Sequence, residues 1–251
     1  MLAEDRRNQI LELLYAHRVV RTRDLQEKFD VSDVTLRSDL QELERRGRLV
    51  RTRGGAVLSN AASEKTTFDS RLIRNRDAKR RIGAAASQFI HGDTTVVFDA
   101  GTTVLALAHH IPQVKNLTVV TPALNTAQHL LSVDGVDVVM IGGPVDKEAI
   151  STVGPAGRYG DDLAHTTFLG AHGIDGDLDL VDVSRQLADS KRQLLRAGRR
   201  VILLADSSKL GVEAPAKVAA LNTVDILITD EEVPEGLAAE IRDAGIELIV
   251  A

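Results

Sequence analysis

The ten residues from Val31 to Leu40 combine hydroxyl and cationic side chains at spacings that suit contact with a polyanion. Ser32 is typical of a helix N-cap, because its hydroxyl can accept the free backbone N–H near Thr35. The leucines that recur every three or four residues predict the buried stripe of this helix, and these are Leu36, Leu40 and Leu43. We therefore expect Arg37 to face outward, where it can bind phosphate oxygens or base edges.

Two further helices precede this one and a short hairpin follows it. Apolar residues mark a helix at Ile10–Leu14 and another around Leu25 and Phe29, so a four-residue turn joins the second helix to the third. Gly47 then ends the third helix. The sequence Arg-Thr-Arg-Gly-Gly that begins at Arg51 predicts the turn of a basic β-hairpin. This order predicts a winged helix-turn-helix that binds double-stranded operator DNA.

The cap, the outward helix face and the wing supply the predicted DNA contacts. These residues are Ser32, Asp33, Thr35, Arg37, Ser38, Arg51 and Arg53. Residues 1–82 hold 19 Lys or Arg against 13 Asp or Glu, whereas residues 83–251 hold 12 against 23. Opposite charges in the two parts indicate two different tasks. The alternative, a basic segment that is only a solvated face, does not account for its coincidence with the motif.

This segment resembles the amino-terminal signature of the DeoR family of bacterial transcriptional regulators. The signature runs Val-Ser-x-x-Thr-Ile-Arg-Arg-Asp-Leu and continues to a Gly-x-Leu-x-Arg-x-His-Gly-Gly wing. The matching residues are Val31, Ser32, Thr35, Leu36, Arg37, Asp39, Leu40, Gly47, Leu49, Arg51, Gly54 and Gly55. Ser38 stands where the family usually has a second arginine, and Arg53 where it usually has histidine. The resemblance implies a DNA-binding regulator with its own operator preference.

The composition is that of a globular protein with two modest domains, since 251 residues are 43% apolar and 27% charged. The sequence has no run of about eighteen apolar residues and no secretory leader, so we expect a cytoplasmic protein with no membrane partner. Cysteine is absent, and the adjacent His109 and His110 would point roughly 100° apart on a helix. We therefore expect no metal site and no cofactor.

A tether is predicted from Ser59 to about Thr67, where the residues are small and polar and show no periodicity. A basic helical segment follows, for which a solvated or interdomain linker helix is a better interpretation than a DNA contact. Its cations are Arg71, Arg74, Arg76, Lys79, Arg80 and Arg81. The predicted division is a winged helix at 1–58, a linker at 59–76, and an effector-sensing and oligomerisation domain at 77–251.

Beyond Ile82, short β-branched runs alternate with helical stretches, which predicts an α/β domain with an open, mostly parallel sheet buried on both faces. The predicted strands are Thr94–Phe98, Leu117–Val120, Val136–Ile141, Arg200–Ala205, Asp225–Ile228 and Glu247–Val250. The predicted helices are Thr103–Ile111, Ala123–Leu131, Val183–Ala197 and Gly236–Ala244. Ligands of such sheets bind beyond the carboxyl ends of the strands.

Polar and flexible groups follow the predicted strands and should converge on one cleft. At the turn after the first strand, Thr102 and Thr103 offer backbone N–H groups, hydroxyls and the positive end of a helix, which suit a phosphate. Thr102 could equally serve only as a helix cap, and Lys191 could be an exposed helix lysine or a cation for an anionic ligand. The candidate effector-binding residues are Asp99, Gly101, Thr102, Thr103, Thr121, Gly142, His172, Asp175, Lys191, Asp206 and Lys209.

These stretches resemble the carboxyl-terminal sensor domain of the DeoR family. The blocks Asp-x-Gly-Thr-Thr, Gly-Gly, Gly-x-x-Gly-Ile-Asp and Asp-Ser-Ser-Lys are met by residues 99–103, 142–143, 170–175 and 206–209. The resemblance implies a domain similar in fold to ribose-5-phosphate isomerase that binds sugar phosphates or related metabolites. Asp177 and Asp179 replace parts of a usual Gly-Leu-Thr-Thr, and His172 stands where serine is frequent. Added carboxylates weaken phosphate binding.

The sequence thus predicts a regulator, in the first instance a repressor of a sugar or carbohydrate catabolism operon, controlled by a phosphorylated sugar. An alternative is a sugar-phosphate isomerase-like enzyme with an appended DNA-binding module, using Asp175 or Asp99 as base. Residues 170–173 replace the acidic Asp-Gly-Ala-Asp block of that enzyme family. An activator differs only in the sign of coupling between domains. Because one winged helix buries little surface on DNA, we expect a homodimer or homotetramer.

Overall fold

The computed structural model describes residues 2–17, 19–58, 67–154 and 164–251. Contacts between Cα atoms divide the chain into two compact units, Met1–Arg76 and Asp77–Ala251. The tether predicted from Ser59 to about Thr67 lies outside the described residues, except for Thr67 itself.

The first unit is a winged helix followed by one additional helix. Its elements are α1 (Ala3–His17), β1 (Val19–Arg21), α2 (Thr22–Phe29), α3 (Asp33–Arg45), β2 (Leu49–Thr52), β3 (Gly55–Leu58) and α4 (Phe68–Ile73). The strands form an antiparallel sheet in the order β1-β3-β2. Strand β1 was not predicted, because three residues are too few for alternation of apolar and polar side chains to show.

Helix α3 begins and ends where the sequence predicts. Ser32 is extended, with φ −65° and ψ 154°, and its Oγ accepts the Thr35 N–H at 3.2 Å. Gly47 has a φ of +71°, in the left-handed region that closes a helix at lowest cost for glycine. The predicted apolar stripe is buried in a core shared with α1, α2 and the wing.

Helix α4 packs within the first unit. Phe68 is buried and Ile73 lies against the winged-helix core. The Arg48 guanidinium donates to Asp69 Oδ2 at 2.5 Å and to Thr67 Oγ1 at 3.1 Å. The last part of the predicted 59–76 linker is therefore a helix fixed to the base of the wing.

The second unit is built on a parallel sheet. Its helices are α5 (Arg76–Ala86), α6 (Thr102–Ala108), α7 (Leu124–Leu130), α8 (Arg185–Ala197) and α9 (Glu235–Asp243). Its strands are β4 (Thr95–Phe98), β5 (Leu117–Thr121), β6 (Val136–Met140), β7 (Val145–Asp146), β8 (Ser151–Thr152), β9 (Ala164–Gly170), β10 (Gly173–Ile174), β11 (Asp179–Asp182), β12 (Gly198–Leu204), β13 (Ala216–Ala220), β14 (Ile226–Thr229) and β15 (Glu247–Val250). Among the described residues, seven strands join in the order β15-β14-β12-β9-β4-β5-β6, and every neighbouring pair is parallel. This confirms the predicted α/β class.

The strand prediction was incomplete at the centre of the sheet. Strand β9, which lies between β4 and β12, begins Ala-His-Thr-Thr and looks polar. Thr166 and Thr167 are nevertheless buried, and the Thr167 hydroxyl donates to the Leu194 carbonyl at 3.1 Å. A threonine whose hydroxyl finds a partner is compatible with a core strand, but only the fold supplies that partner.

A second sheet, antiparallel and in the order β10-β11-β13, was also not predicted. Its strands have two to five residues, too short for a clear pattern. Within the described part of the chain, no helix combines the length and apolar character needed to span a bilayer.

Candidate functional site

The outward face of α3 carries the polar residues that the sequence assigned to DNA contact. Arg37 and Ser38 are exposed, and Arg37 Nε lies 2.7 Å from Asp33 Oδ2 one helical turn earlier. Ser32 Oγ lies 2.8 Å from Thr35 Oγ1, in addition to capping the helix. These hydroxyls and the guanidinium are therefore held in defined positions before any ligand arrives.

The wing carries two candidate arginines, Arg51 in β2 and Arg53 in the turn between β2 and β3. The backbone N–H of Arg51 donates to Glu44 Oε1 at 3.0 Å, and its Nε lies 3.9 Å from the other oxygen of that carboxylate. Arg53 is exposed at the turn before Gly54, whose φ of +88° requires a residue without a β-carbon for lowest strain. Arg51 is thus tied to α3, whereas Arg53 projects from the tip.

A buried carboxylate fixes α3 against α1. Asp39 is only 1% exposed and accepts from Arg6 Nε at 2.6 Å and from Arg7 Nε at 2.8 Å. Its role was not predicted, although the adjacent arginines of α1 and the position of Asp39 beside the leucine stripe were visible signals. Arg46 Nη1 adds a surface link, 2.9 Å from Glu4 of α1.

The surface of α3 near its carboxyl end also carries an ion-pair cluster. Hydrogen bonds from Arg45 and Arg46 hold the pKa of Glu42 at about 2, below its usual 4.5. The two arginines are exposed and stay positively charged beside this carboxylate. The cluster reinforces the helix end next to the wing.

In the second unit, β5 and β6 are added to the sheet on one side of β4, whereas β12, β14 and β15 are added on the other side of β9. The order in which successive strands are added therefore reverses between β4 and β9. Asp99 follows β4 and is 4% exposed. Its Oδ2 accepts from the Gly170 N–H at 3.0 Å and pairs with Lys191 Nζ, which also donates to the Gly170 carbonyl at 2.8 Å. Such reversals are where open α/β sheets bind ligands.

Lys191 is consequently not an exposed helix lysine. It is 9% exposed and reaches from α8 to the ends of two central strands. The alternative of a solvated side chain is wrong because Lys191 bonds to Asp99, 92 residues earlier in the chain. The sequence alone does not show that these two residues meet.

The turn before α6 differs from the cap-only alternative. Gly101 occupies the N-cap position and, as a glycine, has no side chain with which to cap the helix. Thr102 is the first helical residue. Thr102 and Thr103 are each 7% exposed. Thr102 is therefore not the cap, and the threonine pair lies inside the turn next to Asp99.

Asp206 and Lys209 follow β12, two strands away from β4. Asp206 is fully buried and its Oδ1 accepts the Ser208 N–H at 3.3 Å and the Ser208 hydroxyl at 2.5 Å. Asp230, at the end of β14, accepts the Ser207 N–H at 3.2 Å and was not predicted. The rule that selected the other strand ends would have found it, since it directly follows an apolar run.

The remaining candidates occupy different surroundings. Thr121 is buried at the end of β5, where its hydroxyl accepts the Ala123 N–H at 3.1 Å, and Gly142 is exposed after β6. His172 is half-buried after β9. Asp175 lies in the connection between β10 and β11, and its Oδ1 accepts the N–H groups of residues 177 and 179 at 3.1 and 2.8 Å. Asp175 therefore shapes its own loop.

The strand order brings most candidates to one edge. Adjacent parallel strands lie about 4.8 Å apart, so the groups that follow β5, β4, β9 and β12 form a continuous rim. Within the described ranges, no group of three or more His, Asp or Glu side chains is arranged to hold a metal ion. The rim offers hydroxyls, backbone groups, carboxylates and the cation of Lys209, a set suited to a polyhydroxylated anion.

Two family models match the chain. Residues 6–62 match the DeoR-like helix-turn-helix domain and residues 74–231 match the DeoR C terminal sensor domain. The chain is 33% identical to the HTH-type transcriptional repressor GlcR of Bacillus subtilis, over 100% of this chain and 97% of that protein. It is 31% identical to the HTH-type transcriptional regulator GolR of Listeria innocua, over the full length of both.

The glycerol-3-phosphate regulon repressor of Escherichia coli is 31% identical and is matched over 99% of each chain. Among solved structures, ribose 5-phosphate isomerase A of Methanocaldococcus jannaschii aligns with 54% of this chain and 55% of its own, at 12% identity and a TM-score of 0.41.

Proposed function

Because this chain belongs to the DeoR family of transcriptional regulators, we propose that it is a cytoplasmic repressor of a sugar or carbohydrate catabolism operon. A phosphorylated sugar or related metabolite controls its affinity for operator DNA. The similar proteins support this proposal, since they include a transcriptional repressor and the repressor of a glycerol-3-phosphate regulon. Residues 1–58 supply the winged helix and residues 77–251 sense the effector.

The outward face of α3 is the observation that most directly supports the DNA-binding part of the proposal. Arg37 and Ser38 are exposed on it, the buried Asp39 fixes its back to α1, and Arg51 and Arg53 flank it from the wing. A rigid helix with cations beside it satisfies the geometry of major-groove entry and phosphate contact.

The salt dependence of DNA binding tests this part. With roughly four to six phosphate contacts per subunit, log affinity should fall by about 0.9 per contact for each tenfold rise in salt. Arg51→Ala should reduce the slope by about one. Arg242→Ala, which removes an exposed arginine of α9, should leave it unchanged. Binding that hardly varies with salt in a fluorescence anisotropy titration contradicts the assignment.

We propose that the effector lies against the turn at Gly101–Thr103, with Lys209 as the cation for its phosphate. Lys191 is held by Asp99 and Gly170 at the same edge, and a phosphate carries about −1.5 to −2 charges. An incoming phosphate would compete with Asp99 for Lys191 and free that carboxylate to bind sugar hydroxyls. Because Lys191 belongs to α8, such a change in partner would move a helix that spans β9 and β12.

Calorimetry across triose, pentose and hexose phosphates and glycerol 3-phosphate tests the effector site, with the unphosphorylated compounds as controls. Binding should alter operator affinity about 5- to 150-fold, and DNA should alter ligand affinity by the same factor. Lys209→Ala and Thr102→Val should bind DNA but ignore the ligand. Lys115→Ala, an exposed lysine before β5, should respond normally. A Lys209→Ala protein that still responds would place the effector elsewhere.

We infer that the protein acts as a homodimer or homotetramer assembled through residues 77–251. Two winged helices would then bind inverted half-sites about one turn (~10 bp) or a multiple apart. Sedimentation should show a dimer or tetramer at micromolar concentration. A monomer with full operator affinity would contradict this inference.

We propose a regulatory role without catalysis. A general base needs an available carboxylate lone pair near the substrate proton. Asp175 Oδ1 accepts two backbone N–H groups and shapes its own loop. The similar proteins are named transcriptional regulators and repressors, which supports the proposal. Incubation with ribose 5-phosphate should leave the sugar phosphate unchanged, as followed by NMR.

A further inference from the structure

One apolar side chain stands on the outward face of α3. Val34 is 77% exposed and lies three and four residues before Arg37 and Ser38, a spacing that places all three side chains along one side of the helix. Leu36 and Leu40 are buried on the opposite side. The face assigned to DNA therefore presents a valine beside a guanidinium and a hydroxyl.

The surroundings of Val34 give no reason within the helix for a valine. A β-branched residue has lower helix propensity than alanine, and the exposed position contributes little to the core. The polar neighbours are already oriented within the helix, with Arg37 bonded to Asp33 at 2.7 Å and Ser32 to Thr35 at 2.8 Å. Val34 lies in the first turn of α3, the part of a recognition helix that reaches base edges.

The chemistry of the side chain identifies what it can recognise. Valine neither donates nor accepts a hydrogen bond, and the apolar group that base pairs display in the major groove is the 5-methyl of thymine. We propose that Val34 is a specificity-determining residue that packs against the 5-methyl group of a thymine in each operator half-site. This inference rests on the proposed DNA-binding function.

The test removes the methyl group alone. Full-length protein selects its best duplex from a random double-stranded library, and each thymine of that duplex is then replaced singly by deoxyuridine. Wild-type protein should lose about fourfold in affinity at one thymine of each half-site, the effect of one buried methyl. Val34→Ala should bind the thymine and deoxyuridine duplexes equally at that position. Its affinity for the deoxyuridine duplex should match that of wild type, which shows that the variant is folded.

Two further variants sharpen the result. Val34→Thr keeps one methyl group and should retain part of the preference for thymine. Val183→Ala removes a valine that is 48% exposed in the second unit and should keep the full wild-type preference. Wild-type protein insensitive to every deoxyuridine, or Val34→Ala with the wild-type pattern of losses, would overturn the inference while leaving DNA binding intact. Selection of no duplex would instead overturn the DNA-binding function itself.

Discussion

Each unit contains a buried carboxylate bonded to cations, but the two sites differ in their surroundings. Asp39 receives two arginines of α1 and lies behind the exposed face of α3. Asp99 receives one lysine of α8 and one backbone N–H, at the open end of two central strands. The first carboxylate is enclosed between helices, whereas the second lies where a ligand of an α/β sheet binds.

The difference shows how one type of interaction serves two purposes. Asp39 is enclosed between helices and bonded on both oxygens, so its partners stay fixed. It therefore holds α3, the helix that we propose contacts DNA bases and call the reading helix, in place. The Asp99–Lys191 pair has a single cation that an anionic ligand could also use. We therefore interpret the first as a permanent clamp and the second as an exchangeable pair.

The largest expected effect is loss of the clamp. Asp39→Ala leaves two guanidinium groups without their carboxylate and should lower the free energy of unfolding by about 3–5 kcal/mol. Asp33→Ala, which breaks an exposed pair on the same helix, should cost less than about 1 kcal/mol. Urea unfolding measures both, and equal costs would remove the distinction between clamp and surface pair.

Lys191→Met should cost about 3 kcal/mol, the lower end of the range for a buried pair that loses one partner, because the Gly170 N–H still bonds Asp99. The double variant Asp99→Asn/Lys191→Met removes both charges and should recover most of that stability. It should also show no thermal stabilisation by any sugar phosphate. A double variant that responds like wild type would mean that this pair is a second clamp.

A smaller effect is expected on the affinity for operator DNA when the exposed arginines of α3 and the wing are replaced. Arg37→Ala should weaken operator binding by about 1–3 kcal/mol and relax the choice of base at one position, whereas Arg51→Ala should weaken binding to all sequences alike. The free energy of unfolding should hardly change in either variant. Uniform losses for both in a competition assay would mean that Arg37 contacts only the backbone.

The smallest effect concerns a half-buried carboxylate at the surface of α3. The pKa of Glu42 is held at about 2, below its ordinary 4.5, by hydrogen bonds from Arg45 and Arg46. The folded state therefore favours the charged form of Glu42. The ion pairs of Glu42 with the two arginines stabilise the folded protein above about pH 4.5, and this stabilisation is lost as the pH falls toward 2. Urea midpoints of wild type and Glu42→Gln should differ slightly at pH 7 and converge in acid. A constant difference would contradict the lowered pKa.

Local signals in the sequence were sufficient for the two ends of α3 in the first unit. Ser32 caps α3 and Gly47 closes it because both effects depend on neighbours within four residues. The clamp was not predicted, because Asp39 and Arg6 are 33 residues apart and an acidic residue on a helix usually faces water.

Long-range contacts limited the prediction for the second unit. The parallel class followed from alternation, but β9 was missed because its buried threonines look polar until the Leu194 carbonyl accepts from Thr167. Lys191 could be assigned to either environment for the same reason. The edge that carries the candidate residues was predictable from the strand ends, whereas the bonding between Asp99, Gly170 and Lys191 required the strand order.

The position of β9 beside β4 has a consequence for how the chain acquires its structure. The register joins Val96 to Thr166, 70 residues later in the chain, so the centre of the sheet forms only after a long loop closes. The first unit depends on contacts within residues 1–76. During synthesis from the amino terminus, we expect the reading helix to be folded before the central strand pair exists. A growing chain would then contain a complete DNA-binding unit before the unit that regulates it has folded.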